Sequence, residues 1–230
     1  MCFSANASFG AGAVLLTAGV LALRKVNHSS QIIFAAIPIL FSVQQFAEGF
    51  VWLSLANKNF EGVEKFATTF FLIFAQVVWP SMAPLSIFFL EKEEKRKKIL
   101  RIITIMGILV AVYLAYCLKA YDVKAEIISN HIHYSLNFPL AYAWWSGIFY
   151  FIPTVLPHFV SGNKRISWLG ITITASYLFT KIFYDNYLIS IWCFFAAILS
   201  VLILSIVTKM NEPLAERPSV ALYPKGMPGT

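Results

Sequence analysis

Charge is what this sequence has least of. Only 13% of its 230 residues are Asp, Glu, Lys or Arg, roughly half the share of an ordinary soluble domain. With 59% hydrophobic and 16% aromatic residues beside it, that scarcity excludes a disordered chain and argues against a soluble enzyme. Cysteine is also scarce. Cys2, Cys117 and Cys193 are an odd number without Cys-x-x-Cys spacing, which excludes a disulfide framework and a zinc ribbon. Acidic residues are outnumbered, 11 against 18 basic ones, for a net charge of +7. Such an excess points to nucleic acid only if it gathers on one folded surface. No repeat of fixed period is present, and no positive segment precedes the first apolar stretch, so a cleavable signal peptide is not expected.

What fills the chain instead is seven apolar stretches, 7–23, 32–55, 66–90, 99–118, 140–160, 166–183 and 187–208. Each meets the roughly 17 to 25 residues that a spanning helix needs. The expected fold class is all-α: a polytopic membrane protein with seven transmembrane helices forming a single domain over 1–208. The tail, 209–230, is Pro-rich without apolar periodicity and is expected to be disordered. Orientation follows from the basic residues. With the N-terminus outside, thirteen of the eighteen Lys and Arg residues fall on the cytoplasmic side, six of them between Lys92 and Arg101. The C-terminus is then cytoplasmic. The +7 charge records this bias, so the bilayer is the expected partner and no nucleic acid is.

An ionisable side chain in hydrocarbon costs about 2.5 to 3.5 kcal/mol on insertion scales, so each asks for a reason. Glu48 lies eight residues from the outer end of the second stretch, roughly 12 Å deep by helical rise. Gln44 and Trp52 share its face at spacings of four, and Gln45 flanks it. This stripe must point into the bundle. In the third stretch Gln76 and Trp79 are three apart, at a depth that matches Gln44, and predict a buried network Gln44–Glu48–Gln76. Pro80 and Pro84 free carbonyls there, as Pro153 and Pro157 do in the fifth stretch. Lys181 and Asp185 are spaced to pair near the outer surface.

Histidine carries another signal. Residues 131–136, His-Ile-His-Tyr-Ser-Leu, alternate polar and apolar as an extended segment does, which puts His131 and His133 on one face. Such a pair can chelate zinc or copper. Cys2, also outside, supplies a strong thiolate donor, and Ser8 and Gly12 allow close helix contact that brings the N-terminal segment over the bundle mouth. His28 and His158 are read as interfacial packing, and Cys117 and Cys193 as inert core. Cys2, Glu48, His131, His133, Lys181 and Asp185 thus collect toward the outer side.

The opening Met1-Cys2-Phe3-Ser4-Ala5, the stretch Gln44-Gln45-Phe46-Ala47-Glu48-Gly49, the pair Trp79-Pro80 and His131-Ile132-His133-Tyr134-Ser135 together resemble one family. It comprises bacterial multipass membrane proteins of unknown function that begin Met-Cys-Phe-Ser-Ala, and the resemblance covers about 1 to 208. It implies the fold, a bacterial cytoplasmic (inner) membrane location and the choice of positions, but no activity. Microbial rhodopsins are excluded because 187–208 holds no Lys. Ceramidase-like and adiponectin-receptor-like hydrolases place His on the last helix, where this chain has none.

Three functions follow as expectations. The first is a metalloprotein whose zinc or copper is held at the outer mouth by Cys2, Glu48, His131 and His133. As an enzyme it would be a hydrolase of a lipid or small apolar substrate, with Glu48 as catalytic base or ligand. Gln44, Gln45, Trp52, Gln76, Trp79, Tyr134 and Asp185 would line its substrate pocket. The second is a transporter or channel in which Glu48 titrates as protons or a small solute pass. The third is a sensor or scaffold that needs a partner chain. Homo-oligomerisation is compatible with all three.

Overall fold

The structure, a computed structural model, describes residues 4–139, 141 and 144–211. It is helical throughout apart from one hairpin. α1 runs Ala5–Arg24, α2 Ile32–Ala56, α3 Glu64–Leu72, α4 Trp79–Leu90 and α5 Glu94–Ala120. A π-helical turn, Ile73–Val78, joins α3 to α4 without a break. Strands β1, Val123–Ile128, and β2, His131–Leu136, follow. α6, Trp144–Val155, α7, Pro157–Val160, α8, Lys164–Phe183, and α9, Leu188–Asn211, complete the bundle. Among the described residues six helical runs are long and apolar enough to cross a membrane. The exception is the expected fifth stretch, 140–160. From Trp144 on it forms two short helices parted at Leu156, because Pro157 offers no N–H to the carbonyl of Pro153.

α1 and α2 are the most closely packed pair, and small residues are the reason. The buried face of α1 is Ser8, Gly12, Leu15, Ala18, Gly19 and Ala22. A Cβ on Gly19 would stand 2.4 Å from the Ile39 side chain and 2.9 Å from its backbone nitrogen. Ser42 Oγ donates to the Gly12 carbonyl at 2.7 Å. The small-residue face expected from Ser8 and Gly12 is therefore used, against α2. The opposite faces of the bundle are apolar as well. On α5 the exposed side chains include Ile102, Leu109, Val112 and Tyr116, a composition for hydrocarbon rather than water.

Two apolar cores stack along the bundle. One joins Phe34, Ile87, Leu100, Ile166 and Ile203 toward the basic turns; the other joins Val51, Phe71, Leu72, Ile132 and Tyr134 toward the hairpin. At the basic end Asn211 Nδ2 donates to the Lys25 carbonyl, 2.7 Å, and to Gln31 Oε1, 3.0 Å. Glu91 there accepts from the Gly162 N–H at 2.8 Å and so ties the α4–α5 turn to the α7–α8 turn. At the other end the extended segment predicted at 131–136 is β2. It pairs antiparallel with β1 through Ile128↔His131 and Glu126↔His133. The turn residues Ser129 and Asn130 have φ of 50° and 60°, the left-handed pair that a two-residue hairpin needs. Ile132, Tyr134 and Leu136 face the bundle and are buried, and Tyr134 stacks on Phe71 with ring centroids 4.9 Å apart. The hairpin is a cap seated on α3.

Candidate functional site

A polar layer lies between the two cores. Gln44, Gln45 and Glu48 on α2 are each fully buried, as their spacing requires. Ser190 Oγ, from the first turn of α9, donates to Glu48 Oε1 at 2.5 Å, and Gln45 Nε2 donates to Glu48 Oε2 at 3.3 Å. Both carboxyl oxygens therefore accept a hydrogen bond. Gln44 Oε1 accepts from Trp79 Nε1 at 2.7 Å, and the Trp79 indole stacks on Phe41 with centroids 3.8 Å apart. Cys193, one turn along α9 from Ser190, lies against both Gln44 and Glu48.

The expected partner Gln76 is not in this network. The π turn Ile73–Val78 widens the helix between Gln76 and Trp79, so three residues no longer place them on one face. Trp79 turns to Gln44, while Gln76 turns into a cavity. The same turn explains a second contact. In π geometry the carbonyl of Ala75 looks to the N–H of residue 80, which is proline. The Tyr150 hydroxyl of α6 donates to that carbonyl instead.

The cavity has a volume of about 480 Å³ and lies under the hairpin. Its polar lining includes Gln76, His133 and the pair Lys181–Asp185; its aromatic lining includes Tyr134, Tyr150, Tyr177, Tyr187 and Trp192. Lys181 Nζ and Asp185 Oδ1 are 2.5 Å apart at the exposed rim, as their spacing predicts. A smaller cavity of about 70 Å³ lies toward the basic end, lined by Trp79, Thr154, His158 and Ser200 among others. The two share Tyr150, Trp192 and Cys193 as their common wall.

Of the residues singled out from the sequence, Gln76, His133, Tyr134, Lys181 and Asp185 reach the larger cavity. Gln44 and Glu48 lie near Cys193 of its wall, Gln45 is bonded to Glu48, and Trp52 packs in the hairpin-side core with Val51 and Phe71. His131 stacks on Tyr187, centroids 4.7 Å apart, and its Nδ1 donates to the Ser129 carbonyl at 2.7 Å. His133 Nδ1 lies 3.4 Å from Ser135 Oγ. Among the described residues no three His, Cys, Asp or Glu side chains gather into a set able to hold a metal ion. Glu48, His131 and His133 are thus not brought together, and Cys2 lies outside the described residues. His158, expected at an interface, is 4% exposed with Nδ1 donating to the Val155 carbonyl.

Sequence reasoning passed over Ser190, Tyr150, Tyr177, Tyr187 and Trp192, and read Cys193 as inert packing. A serine or an aromatic in an apolar helix carries no mark of whether it faces lipid, core or cavity. Ser190 alone had a signal, one turn into the last apolar stretch at the end where the sequence collects its ionisable residues. No curated protein and no solved structure matches the chain. A family-wide sequence profile does match, over residues 1–218, and the chain belongs to that family of unknown function, DUF6629.

Proposed function

We propose that this is an integral membrane protein of the bacterial cytoplasmic membrane that binds a small amphipathic molecule in the cavity beneath the hairpin. The observation that carries the reading is the cavity itself. It is of ligand size, joins apolar walls to a few polar groups, and backs onto the buried Glu48 layer. Seven crossings, with the hairpin end outside, fit the contacts at the two ends. α1 begins beside the hairpin-side half of α2, with Phe9 against Phe50, while Asn211 meets the α1–α2 turn at the basic end. These contacts support an odd number of passes, with the short helices α6 and α7 serving as the fifth; 17 residues span roughly 25 Å. Lys and Arg concentrate at the end this reading makes cytoplasmic.

Binding is preferred to metal-dependent hydrolysis because the latter requires a third donor beside His131 and His133, a part left to Cys2. Transport through the two cavities in series is a development of the same site. The test uses Gly147, which lines the cavity and where an added Cβ meets only the Tyr177 hydroxyl at 3.9 Å. Protein purified in mild detergent is extracted, and small molecules are identified by mass spectrometry. A compound retained by the wild type and lost from Gly147→Phe supports the reading. Identical extracts from the two proteins sink it.

A further inference from the structure

We infer that the outward face of α5 is a docking site for an anionic phospholipid. Its headgroup would sit at Lys95, Lys98 and Arg101, with the acyl chains along the helix below them. The inference rests on the membrane reading of the chain and is independent of the cavity. By helical period, Leu100, Thr104, Gly107 and Ala111 share one side of α5, and all four are buried against the bundle. The opposite side begins with Lys95, Lys98 and Arg101, all exposed, and continues with Ile102, Ile105 and Leu109. Ile102 is 69% exposed and Leu109 65%. From Lys98 to Tyr116, the last exposed residue of this ridge, the helix rises roughly 27 Å, close to the thickness of a hydrocarbon core. One face thus joins a cationic head to an apolar body, and the long basic stems can lie along the apolar part.

Charge selects the class of lipid. The other basic residues of this first turn are engaged. Arg96 pairs with Glu93 at 3.1 Å, and Lys97 lies over the Phe88 ring, 5.6 Å from its centroid. Among the described residues Lys95, Lys98 and Arg101 make no ion pair. Glu94 is the one acid on their face, so three cations against one carboxylate leave two positive charges in excess. A zwitterionic headgroup brings its own ammonium to this site and leaves the excess in place. A headgroup of net negative charge removes it. Each Lys or Arg that meets anionic lipid at the membrane surface is worth about fivefold in binding.

The test is native mass spectrometry of the full chain, delipidated in mild detergent and given equal phosphatidylglycerol and phosphatidylcholine of the same acyl chains. Retention of phosphatidylglycerol should exceed that of phosphatidylcholine by about tenfold or more. Replacing Lys95, Lys98 and Arg101 together by Gln should remove most of that preference and leave phosphatidylcholine retention unchanged. The charge-keeping set Lys95→Arg, Lys98→Arg and Arg101→Lys should restore it. Lys164, Arg165 and Lys209 are exposed at the same end of the bundle but on α8 and α9; replacing those three by Gln should leave the preference in place. Added inorganic phosphate should not displace the lipid, since it has no chain for the ridge. Equal retention of the two lipids by the wild type overturns the assignment. So does an equal loss from the α8–α9 set, which would mean that the charge of the whole end acts and not this face. Displacement by phosphate, or a dimer that excludes lipid from the face, overturns it as well. Retention of neither lipid overturns it together with the membrane placement of α5.

Discussion

Ser190 and Glu48 are 142 residues apart in sequence, and the hydroxyl of one donates to a carboxyl oxygen of the other inside the bundle. The contact fastens the first turn of α9 to the middle of α2. A buried carboxyl that loses a donor keeps its desolvation cost without the bond, which is worth about 1 to 3 kcal/mol. Ser190→Ala is therefore expected to lower stability by that amount. In a Glu48→Gln background, where the acceptor is a weaker neutral amide, the same change should cost less. A double-mutant cycle from unfolding in mixed micelles reads the difference. Additive effects would show that the bond does not couple the two helices.

The crossing of α4 and α5 turns on one missing side chain. Pro84 offers no N–H to the carbonyl of Pro80, and Gly107 fits against that carbonyl so closely that a Cβ would lie 1.9 Å from the oxygen. Backbone cannot move aside as a side-chain tip does. Gly107→Ala should destabilise by about 3 kcal/mol, at the upper end of overpacking costs. Gly10→Ala on α1, where nothing lies within 4 Å, should instead gain up to about 1 kcal/mol from helix propensity. Thermal unfolding of the two variants gives opposite shifts; shifts of one sign would mean that the close crossing is absent.

These contacts also mark what was readable in advance. Glu48 stood out because a charge inside an apolar run violates the solvent it sits in, and its burial follows from that alone. β2 was readable from a two-residue alternation, and α1–α2 packing from Ser8 and Gly12. The expected Gln44–Glu48–Gln76 network misplaced Gln76, since a π turn leaves no periodic trace and rotates Gln76 away from Trp79. The cavity was hidden for a different reason. Its wall is Tyr150, Tyr177, Trp192 and Cys193, residue types equally suited to lipid-facing and buried positions. His158 was misjudged by place: it is near the end of a helix, yet Gly170 lets α8 close over it, with the His158 Cβ 2.7 Å from where a Gly170 Cβ would be.

The Tyr150 hydroxyl is predicted to matter for structure more than its ring. It satisfies the Ala75 carbonyl that the π turn and Pro80 leave without a backbone donor. Tyr150→Phe keeps the aromatic wall and orphans that carbonyl, at an expected cost of about 1 to 3 kcal/mol. The π turn itself should then relax. Amide hydrogen exchange over 73–80 is expected to rise in this variant while that of the hairpin stays unchanged. Unaltered exchange over 73–80 would contradict the role assigned to the hydroxyl.

Glu91 is the carboxyl at the basic end for which a pH effect can be signed. Burial alone would raise its pKa. That is outweighed by three backbone N–H groups, from Glu93, Gly162 and Lys92, and by Arg96, so the pKa lies below its ordinary 4.5. A carboxyl depressed in the folded state contributes stability that is complete above its unfolded value and is lost as pH falls through the folded one. The clamp between the α4–α5 and α7–α8 turns should accordingly hold at neutral pH and loosen in acid. Glu91→Gln is expected to be less stable than the wild type at pH 7, with the gap closing as pH drops below about 4.5. Melting curves across that range measure it. A gap that persists undiminished in acid would mean that the contacts to Gly162 and its neighbours act through shape and not through charge.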